Sequence, residues 1–401
     1  MEIALILCLA FSILAVVYVY VGYPILVAIC ARCFGRNRTP VVLTDDELPA
    51  ISVLIAAYNE EAEIEARILN LLALDHPRVK CEILIASDGS SDRTNAIVRE
   101  YADHGVRLLD FPERRGKSSV LNDAFQVVSH DIVVLSDANT QMDPGSLRSM
   151  ASWFQDARIG VVCGRLVLTD PRTGRNVDSL YWKFETFLKK AESRLGALLG
   201  SNGGIYAIRK ELFQPIPANT IVDDFVIPLQ ARQRTGCEIV YDRNAVACEE
   251  TPERIRSEFH RRTRIGAGGF QSIGLLRGLL HPKHGWICFT FWSHKVLRWL
   301  CPFFLVMAFV ANAFLASQPI FLALLLVQIA FYAVSGAAAW LPARPRSLRF
   351  LRLGTMFTSM NLALLFGFFR WLRGSQKAAW TRTARSTEFA TIVEQPIAAA
   401  S

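Results

Sequence analysis

The chain has 401 residues, of which 52% are apolar and 20% are charged, and its formal net charge is +8. Because soluble domains have about a quarter of charged residues, this composition excludes an intrinsically disordered chain, a purely soluble enzyme and a collagen-like or disulfide-stapled scaffold. The excess of apolar residues is concentrated in three charge-free blocks, at 3–31, 299–343 and 353–369.

The charge-free blocks predict membrane-spanning helices. A helix rises 1.5 Å per residue, so roughly 20 residues cross a hydrocarbon core about 30 Å thick. Block 3–31 is long enough to span once and block 299–343 twice, whereas block 353–369 is marginal for a single span. The number of C-terminal spans stays open at this point. We expect the first block to be an anchor and not a cleaved signal peptide, because it is preceded by Glu2 and by no basic residue and is too long for a signal-peptide core.

Basic residues flank these blocks, among them Arg32, Arg36 and Arg38 directly after the first one. Positive charge beside a span is typical of the cytoplasmic side, so we predict an integral protein of the plasma or inner membrane with a large cytoplasmic domain. The predicted division of the chain is an N-terminal span at 1–31, the large domain at 32–295, a C-terminal membrane region at 296–373 and a basic tail at 374–401. This placement of charge indicates membrane lipid as a partner and not nucleic acid.

The large domain alternates short apolar runs with helical patterns. Runs at 51–57, 81–86, 106–109 and 131–135 predict strands, and helical spacing is found at 61–73, before residue 101 and at 118–128. Further along, we predict a strand at 159–168, an amphipathic helix at 181–195, a backbone-exposing turn at 201–204 and a strand at 238–248. Buried strands that alternate with helices indicate an α/β fold with a largely parallel sheet. Ligands of such sheets bind at the carboxyl ends of the strands.

Acidic residues follow two of the predicted strands. Asp88 and Asp137 each come just after an apolar run, and Asn139 lies two residues beyond Asp137. Two oxygen ligands on one turn suit Mg²⁺ or Mn²⁺, which share their coordination with substrate phosphates. The alternative interpretation is that each aspartate caps a helix or a turn.

Two other groups of charged residues suggest chemistry. Adjacent carboxylates at Asp223 and Asp224 repel, which raises the pKa of one of them and suits it to act as a general base; the alternative is helix capping. The guanidinium groups at 261, 262 and 264 suit a diphosphate, with a basic surface near anionic lipid as the alternative. The aromatic ring of Trp182 could stack on a sugar or belong to the core.

In chain order, the motifs are Ala57-Tyr-Asn-Glu60, Ser87-Asp-Gly-Ser-Ser-Asp92, Arg115-Gly-Lys117, Ser136-Asp-Ala-Asn139, Ser201-Asn-Gly-Gly204, Val222-Asp-Asp-Phe225 and Arg261-Arg-x-Arg264. This ordered set resembles the family 2 glycosyltransferases, and within them the membrane branch of cellulose-synthase-like and hyaluronan-synthase-like proteins. The resemblance covers residues 51–271.

The resemblance implies a GT-A fold, which is a Rossmann-like mixed sheet, largely parallel, here with flanking transmembrane helices. It also implies an inverting mechanism, a nucleotide-sugar donor that is usually UDP-linked, and a Mg²⁺ or Mn²⁺ ion at Asp137 and Asn139. Asp224, next to Asp223, matches the catalytic base. The positions that match donor-binding residues are Tyr58, Glu60, Asp88, Lys117, Asp137, Arg261, Arg262 and Arg264, and those assigned to the acceptor are Asn202, Gly203 and Trp182.

The sequence departs from the family pattern at three positions. Asn139 replaces the second aspartate of D-x-D, Arg261 replaces the glutamine of Q-x-x-R-W, and Ile265 stands where processive synthases carry the tryptophan of that motif. The loss of this aromatic platform favours an enzyme that adds one or a few sugars.

We therefore predict an inverting glycosyltransferase of the hexosyltransferase type. It would move a sugar from a nucleotide-sugar donor to a membrane-presented glycan or a lipid-linked acceptor in polysaccharide or glycoconjugate synthesis. The alternative within the family is a processive synthase that extrudes a homopolymer. Outside the family, the alternatives are a nucleotidyl- or phosphotransferase that acts on lipid and a non-catalytic transporter subunit or glycan-binding partner. Transporters carry ionisable residues inside their spans, and the three blocks contain none.

Overall fold

The computed structural model describes residues 1–169, 180–250, 255–340 and 349–376. By the contacts between their residues, these parts of the chain form two compact units. The helical unit comprises 1–30 and 255–376, and the α/β unit comprises 31–254. The domain boundaries predicted from the sequence stay predictions, and all but the first three residues of the predicted basic tail lie outside the described residues.

The elements alternate between strands and helices through most of the α/β unit. The α-helices of the described residues are α1 (Glu2–Val17), α2 (Tyr23–Phe34), α3 (Ile64–Leu72), α4 (Thr94–Glu100), α5 (Lys117–Val127), α6 (Ser146–Ser152), α7 (Leu180–Arg194), α8 (Asp223–Thr235), α9 (Ile255–Leu275), α10 (Trp286–Thr290), α11 (Leu297–Phe314), α12 (Pro319–Trp340) and α13 (Arg349–Leu372). The strands are β1 (Ile51–Ala57), β2 (Cys81–Asp88), β3 (Val106–Phe111), β4 (Ile132–Asp137), β5 (Gln141–Met142), β6 (Ile159–Thr169), β7 (Tyr206–Arg209) and β8 (Glu238–Glu250).

All of these strands form one sheet in the order β3-β2-β1-β4-β7-β6-β8-β5. Strands β1 to β4 pair in parallel, as do β6 and β8. Strand β7 lies antiparallel between β4 and β6, and β5 pairs antiparallel with β8. The predicted α/β class with a mixed, largely parallel sheet is confirmed. The antiparallel strands β5 and β7 have no counterpart in the sequence prediction.

Strand β1 buries every side chain, which explains its continuous apolar run. All seven residues of β1 are buried, and its β-branched residues suit the pleated surface of a sheet covered on both faces. Helix α3 buries Ile64, Ile68 and Leu71 in the same core. In the sheet register, Ala57 is opposite Ser87 and Ala56 is opposite Asp137. The acidic ends of β2 and β4 therefore flank the carboxyl end of β1.

The described residues contain three continuous helices that are long and apolar enough to cross a membrane: Glu2–Phe34, Trp286–Phe314 and Pro319–Ala338. In the first, a π-helical turn at Tyr18–Gly22 joins α1 to α2, and in the second, one at Phe291–Val296 joins α10 to α11. A break at 315–318 divides the block 299–343 into two such helices, as two spans require. The marginal block 353–369 lies within α13, which is not one of the three. The chain therefore has the helices expected of an integral membrane protein.

Helices α9 and α13 pack closely at glycines. A Cβ atom placed on Gly367 would lie 2.8 Å from the backbone nitrogen of Ala267 and 2.8 Å from the backbone oxygen of Thr263. Only glycine permits two helix backbones to approach this closely. The glycine-rich segment 266–269 is thus a packing surface within the helical unit.

Candidate active site

Asp88 fixes the loop that leads into α5. It is 1% exposed at the end of β2, and its two carboxylate oxygens accept hydrogen bonds from the backbone N–H groups of Arg115 (2.6 Å) and Gly116 (2.9 Å). Gly116 has φ of +90°, a value that favours glycine. Asp88 thereby sets the position at which α5 begins with Lys117. Its predicted contact with the nucleoside stays a prediction.

The loops after β1 and β2 are joined at Asn59. This residue adopts a positive φ of 54°, and its side-chain oxygen accepts a hydrogen bond from the backbone N–H of Ser91 at 2.8 Å. Next to it, the guanidinium of Arg114 lies 3.8 Å from the ring centroid of Tyr58. Tyr58 and Glu60 are both partly exposed. The turn therefore presents an aromatic ring and a carboxyl group at the carboxyl end of β1.

Three carboxylates and one ammonium group meet at the centre of the site. The Nζ atom of Lys117 lies 2.8 Å from Asp137 Oδ1 and 3.4 Å from Asp223 Oδ2. The backbone N–H of Gly203 donates to Asp224 Oδ2 at 3.1 Å. A Cβ atom on Gly203 would lie 3.3 Å from Asp224 Oδ2 and 3.4 Å from Asp137 Oδ2. The structure thus brings the end of β4, the start of α5, the first turn of α8 and the 201–204 turn together.

The electrostatics of this centre favour a base at Asp224. Burial, and then the charge of Asp223, raise the pKa of the Asp224 carboxyl to about 6, against the opposing charge of Lys117. A carboxyl group with this pKa is largely ionised at neutral pH and binds a proton more readily than an ordinary aspartate. Burial alone would lower the pKa of Lys117, but the charges of Asp137 and Asp223 raise it above its usual value. Lys117 therefore stays a cation.

The residues predicted to face the acceptor lie near a further lysine. The Asn202 side-chain oxygen accepts a hydrogen bond from Lys189 Nζ, and its amide nitrogen donates to the backbone oxygen of Gly164 at 2.6 Å. Lys189 is on α7, seven residues after Trp182, so both side chains lie on the same face of that helix. The arrangement connects the turn at Asn202 with the helix that carries the predicted sugar-stacking ring.

The protein offers a divalent cation only part of a coordination shell. Asp137 supplies a carboxylate, and the Asn139 side-chain nitrogen is buried without a hydrogen bond in the described part of the chain. No group of three His, Cys, Asp or Glu side chains suited to a metal occurs among the described residues. This donor set fits Mg²⁺ or Mn²⁺ held by one or two protein oxygens together with substrate phosphates and water. The metal site stays a prediction.

The three predicted diphosphate ligands Arg261, Arg262 and Arg264 lie on α9 in the helical unit, and all are partly buried. Arg261 Nε lies 2.9 Å from Glu258 Oε2, and Arg262 Nε lies 2.6 Å from Glu258 Oε1. Burial would raise the pKa of Glu258, but the hydrogen bonds and charges of these arginines lower it below its usual value. Their role towards the donor stays a prediction.

The structure adds residues that the sequence prediction missed. The buried Arg67 donates from Nη2 to Ser136 Oγ at 2.8 Å, and Ser136 donates to the backbone oxygen of Gly204 at 2.6 Å. This chain of hydrogen bonds supports the residue next to Asp137. The sequence signal that could have identified Arg67 is the position of a charged residue within the apolar stripe of the helix predicted at 61–73.

Tyr206 is a second such residue. It is 1% exposed on β7, and its hydroxyl has no hydrogen-bond partner in the described residues. Burial, followed by the charges of Asp223 and Asp224, raises its pKa well above the usual value. No sequence signal marked it, because β7 was not predicted.

Part of the chain matches a known protein family. Residues 52–216 match the family model of glycosyl transferase family 2. Poly-beta-1,6-N-acetyl-D-glucosamine synthase of Staphylococcus aureus is 29% identical over 253 residues, which are 60% of this chain and 59% of the relative. The synthase of the same name from Staphylococcus epidermidis is 27% identical over 59% of each chain. The chain thus spans less than two thirds of the length of these relatives.

A solved structure has the same fold. It is the mannosyltransferase PcManGT from Pyrobaculum calidifontis in complex with GDP-Man and Mn²⁺, with a TM-score of 0.70, 23% identity, and coverage of 91% of this chain and 99% of that one. The predicted GT-A fold and the resemblance to family 2 are confirmed. The chain therefore carries a glycosyl transferase family 2 domain, matched over residues 52–216.

Proposed function

We propose that the protein is an inverting glycosyltransferase that moves a sugar from a UDP-linked donor to a membrane-presented glycan or lipid-linked acceptor. The observation that carries this proposal is the convergence of Asp137, Asp223, Asp224 and Lys117 on the turn at Gly203. The proposed proton acceptor, the proposed phosphate ligands and the turn at 201–204 would then act together near the carboxyl ends of the strands.

In the proposed reaction, Asp224 takes the proton of the acceptor hydroxyl. The acceptor oxygen forms a bond to the anomeric carbon as the bond from that carbon to the donor phosphate breaks, and the nucleoside diphosphate leaves with the electron pair. The attack is in line, which inverts the configuration, and the transition state resembles an oxocarbenium ion. The raised pKa of Asp224, about 6, makes this carboxylate a better base than an ordinary aspartate.

Cationic groups would stabilise the negative charge that develops on the leaving diphosphate. Lys117 is held at this edge by Asp137 and Asp223. A Mg²⁺ or Mn²⁺ ion at Asp137 and Asn139 would supply further positive charge to the phosphates. We assign Arg261, Arg262 and Arg264 to the same diphosphate, and Tyr58, Glu60 and Asp88 to the nucleoside side of the site.

A second candidate is a processive synthase that builds a long polymer. It is favoured by the staphylococcal relatives, whose names describe polysaccharide synthases. The sequence favours short products instead, because Ile265, which is 39% exposed, replaces the aromatic residue that would retain a growing chain. We keep short products as the prediction and homopolymer synthesis as its alternative.

We further propose that the α/β unit faces the cytoplasm, where nucleotide sugars are made. The basic residues that follow the first candidate span support this orientation. Membrane lipid would then surround the apolar helices of the helical unit.

The test is a donor screen on the purified full chain in lipid with Mn²⁺. We expect one nucleotide sugar of the UDP series to raise the thermal unfolding midpoint by several degrees, as specific binding to the folded state does, and labelled sugar from it to reach a membrane extract. The exposed-carboxylate variant Asp103→Asn serves as a matched control. Stabilisation by no nucleotide sugar, with no transfer, would reject the proposal.

A further inference from the structure

A cavity of about 450 Å³ lies in the α/β unit, lined by none of the residues assigned to donor, metal or acceptor. Its volume falls in the range of small-molecule sites, roughly 300–1,000 Å³. Three segments form its walls: 36–40 after the first candidate span, the C-terminal turn of α7, and 240–244 of β8. Trp153 closes it.

Hydrogen bonds donated by backbone N–H groups hold the walls together. The N–H of Arg36 donates to the backbone oxygen of Arg194 at 2.7 Å, and the N–H of Tyr241 donates to Ser193 Oγ at 2.9 Å. These bonds join the segment after the span to α7, and α7 to β8. Hydrogen bonds of backbone N–H groups therefore connect all three segments that form the cavity.

The lining carries a strong excess of positive charge. Its cationic residues are Arg36, Arg38, Lys190, Arg194 and Arg243. Of these, Arg38 pairs with Glu238. The lining carboxylate, Asp242, already accepts hydrogen bonds from Ser149 Oγ (2.6 Å) and from the N–H of Asn244 (2.9 Å). The remaining cations form no ion pair with another described residue, so the cavity suits an anion.

Two buried donors in the lining lack partners. The indole nitrogen of Trp153, a residue that is 7% exposed, and the Nε atom of Arg194 have no hydrogen bond within the described part of the chain. A buried donor without an acceptor costs free energy, and a ligand oxygen in this cavity would supply one. Guanidinium groups bind phosphate oxygens in pairs, and the indole N–H adds a neutral donor.

We propose that this cavity binds the phosphate group of a phosphate ester, at a site separate from the donor site. Arg36, Arg243 and Lys190 supply the charge, and Trp153 with Arg194 supplies the buried donors. Arg36 lies two residues after the end of α2, which is the end of the first candidate span. Both a lipid headgroup and a soluble phosphate share the required chemistry. The inference does not depend on the proposed transfer reaction.

The test measures the thermal unfolding midpoint of the full chain in detergent, with UDP and Mg²⁺ in excess so that the donor site is occupied. The probes are inorganic phosphate and dioctanoyl phosphatidic acid, with dioctanoylglycerol as the uncharged control lipid. We expect one phosphate probe to raise the midpoint by about 2–4 °C in the wild type. A response to phosphatidic acid alone identifies a lipid headgroup, and a response to inorganic phosphate identifies a soluble ligand.

The variant Arg36→Gln/Arg243→Gln should lose this shift, because it removes two cations of the lining. Both side chains are exposed, so the midpoint without ligand should change little. Lys190→Gln is a second exposed variant, and Lys183→Gln, on the same helix but outside the cavity, should keep the full shift. No shift in the wild type with either probe, or an equal shift in the double variant, would overturn the proposal.

Discussion

The substitution Asp223→Asn tests whether the charge of Asp223 raises the pKa of the proposed base, Asp224. It removes the charge that, after burial, contributes most to the raised pKa of Asp224. The total rise is from 3.8 to about 6, with burial as its largest cause and the charge of Asp223 as the next. Loss of the Asp223 charge should therefore lower the pKa of Asp224 by about one unit. We expect Lys117 to keep its contact with Asp137 in this variant, because Asp137 is unchanged.

The direction in which kcat/KM changes with pH follows from the role of a base, because a carboxylate accepts a proton only when it is ionised. In the wild type, kcat/KM should fall on the acid side with a midpoint near the pKa of Asp224, about 6. In Asp223→Asn, that midpoint should move down by about one unit. At pH 5, the ionised fraction would rise from about one tenth to about one half, so the rate relative to the plateau should increase about fivefold.

The assay measures kcat/KM with labelled donor between pH 4.5 and 8 at constant metal concentration, and each variant is normalised to its own plateau. Asp103→Asn, which changes an exposed carboxylate, should leave the acid midpoint where it is. An unchanged midpoint in Asp223→Asn would refute the coupling. Loss of activity at every pH would instead assign the base to Asp223.

Four other outcomes follow from the proposed site. Asp224→Asn should lower kcat by about 10²–10⁴-fold and leave UDP affinity within a few-fold, measured by single-turnover transfer and by equilibrium binding; near-normal turnover would assign the base elsewhere. Removal of divalent cations with EDTA should abolish both transfer and the stabilisation by UDP, and full UDP stabilisation without metal would contradict the role of Asp137 and Asn139. A reporter fused after Arg38 should give a cytoplasmic signal, whereas an external signal would overturn the orientation and the donor assignment. Purified protein in lipid should make no high-molecular-weight glycan from labelled donor alone and should add one or a few sugars once a membrane extract is supplied; a long polymer from donor alone would place it among the processive synthases.

Three strands of the parallel half of the sheet were predictable because most of their residues are buried on both faces. Strands β1, β2 and β4 read as continuous apolar runs, and their ends carry the acidic motifs. Strand β7 has four residues and β5 has two. Such short strands have too few positions for the periodic spacing of apolar residues to be recognised. Their antiparallel pairing also depends on partners far along the chain.

The members of the acidic centre were predictable, but their partners were not. The carboxyl ends of parallel strands lie on one edge of a sheet, so Asp88 and Asp137 were expected near each other. Their contacts differ, because Asp88 binds loop N–H groups and Asp137 binds Lys117. Lys189 lies in a helix whose amphipathic pattern does not distinguish it from the other lysines. Only the folded structure shows that it contacts Asn202.

The charges of the centre indicate that a nucleotide-sugar donor would need cations in addition to Lys117. Asp137, Asp223 and Asp224 contribute up to three negative charges at neutral pH, and Lys117 contributes one positive charge in direct contact with two of them. A nucleoside diphosphate would add further negative charge to a partly buried site, where like charges repel more strongly than in water. Binding therefore requires cations that arrive with the donor or from other segments. A divalent ion that shares its ligands between Asp137 and the phosphates meets this requirement and needs few protein ligands, in agreement with the sparse donor set described here.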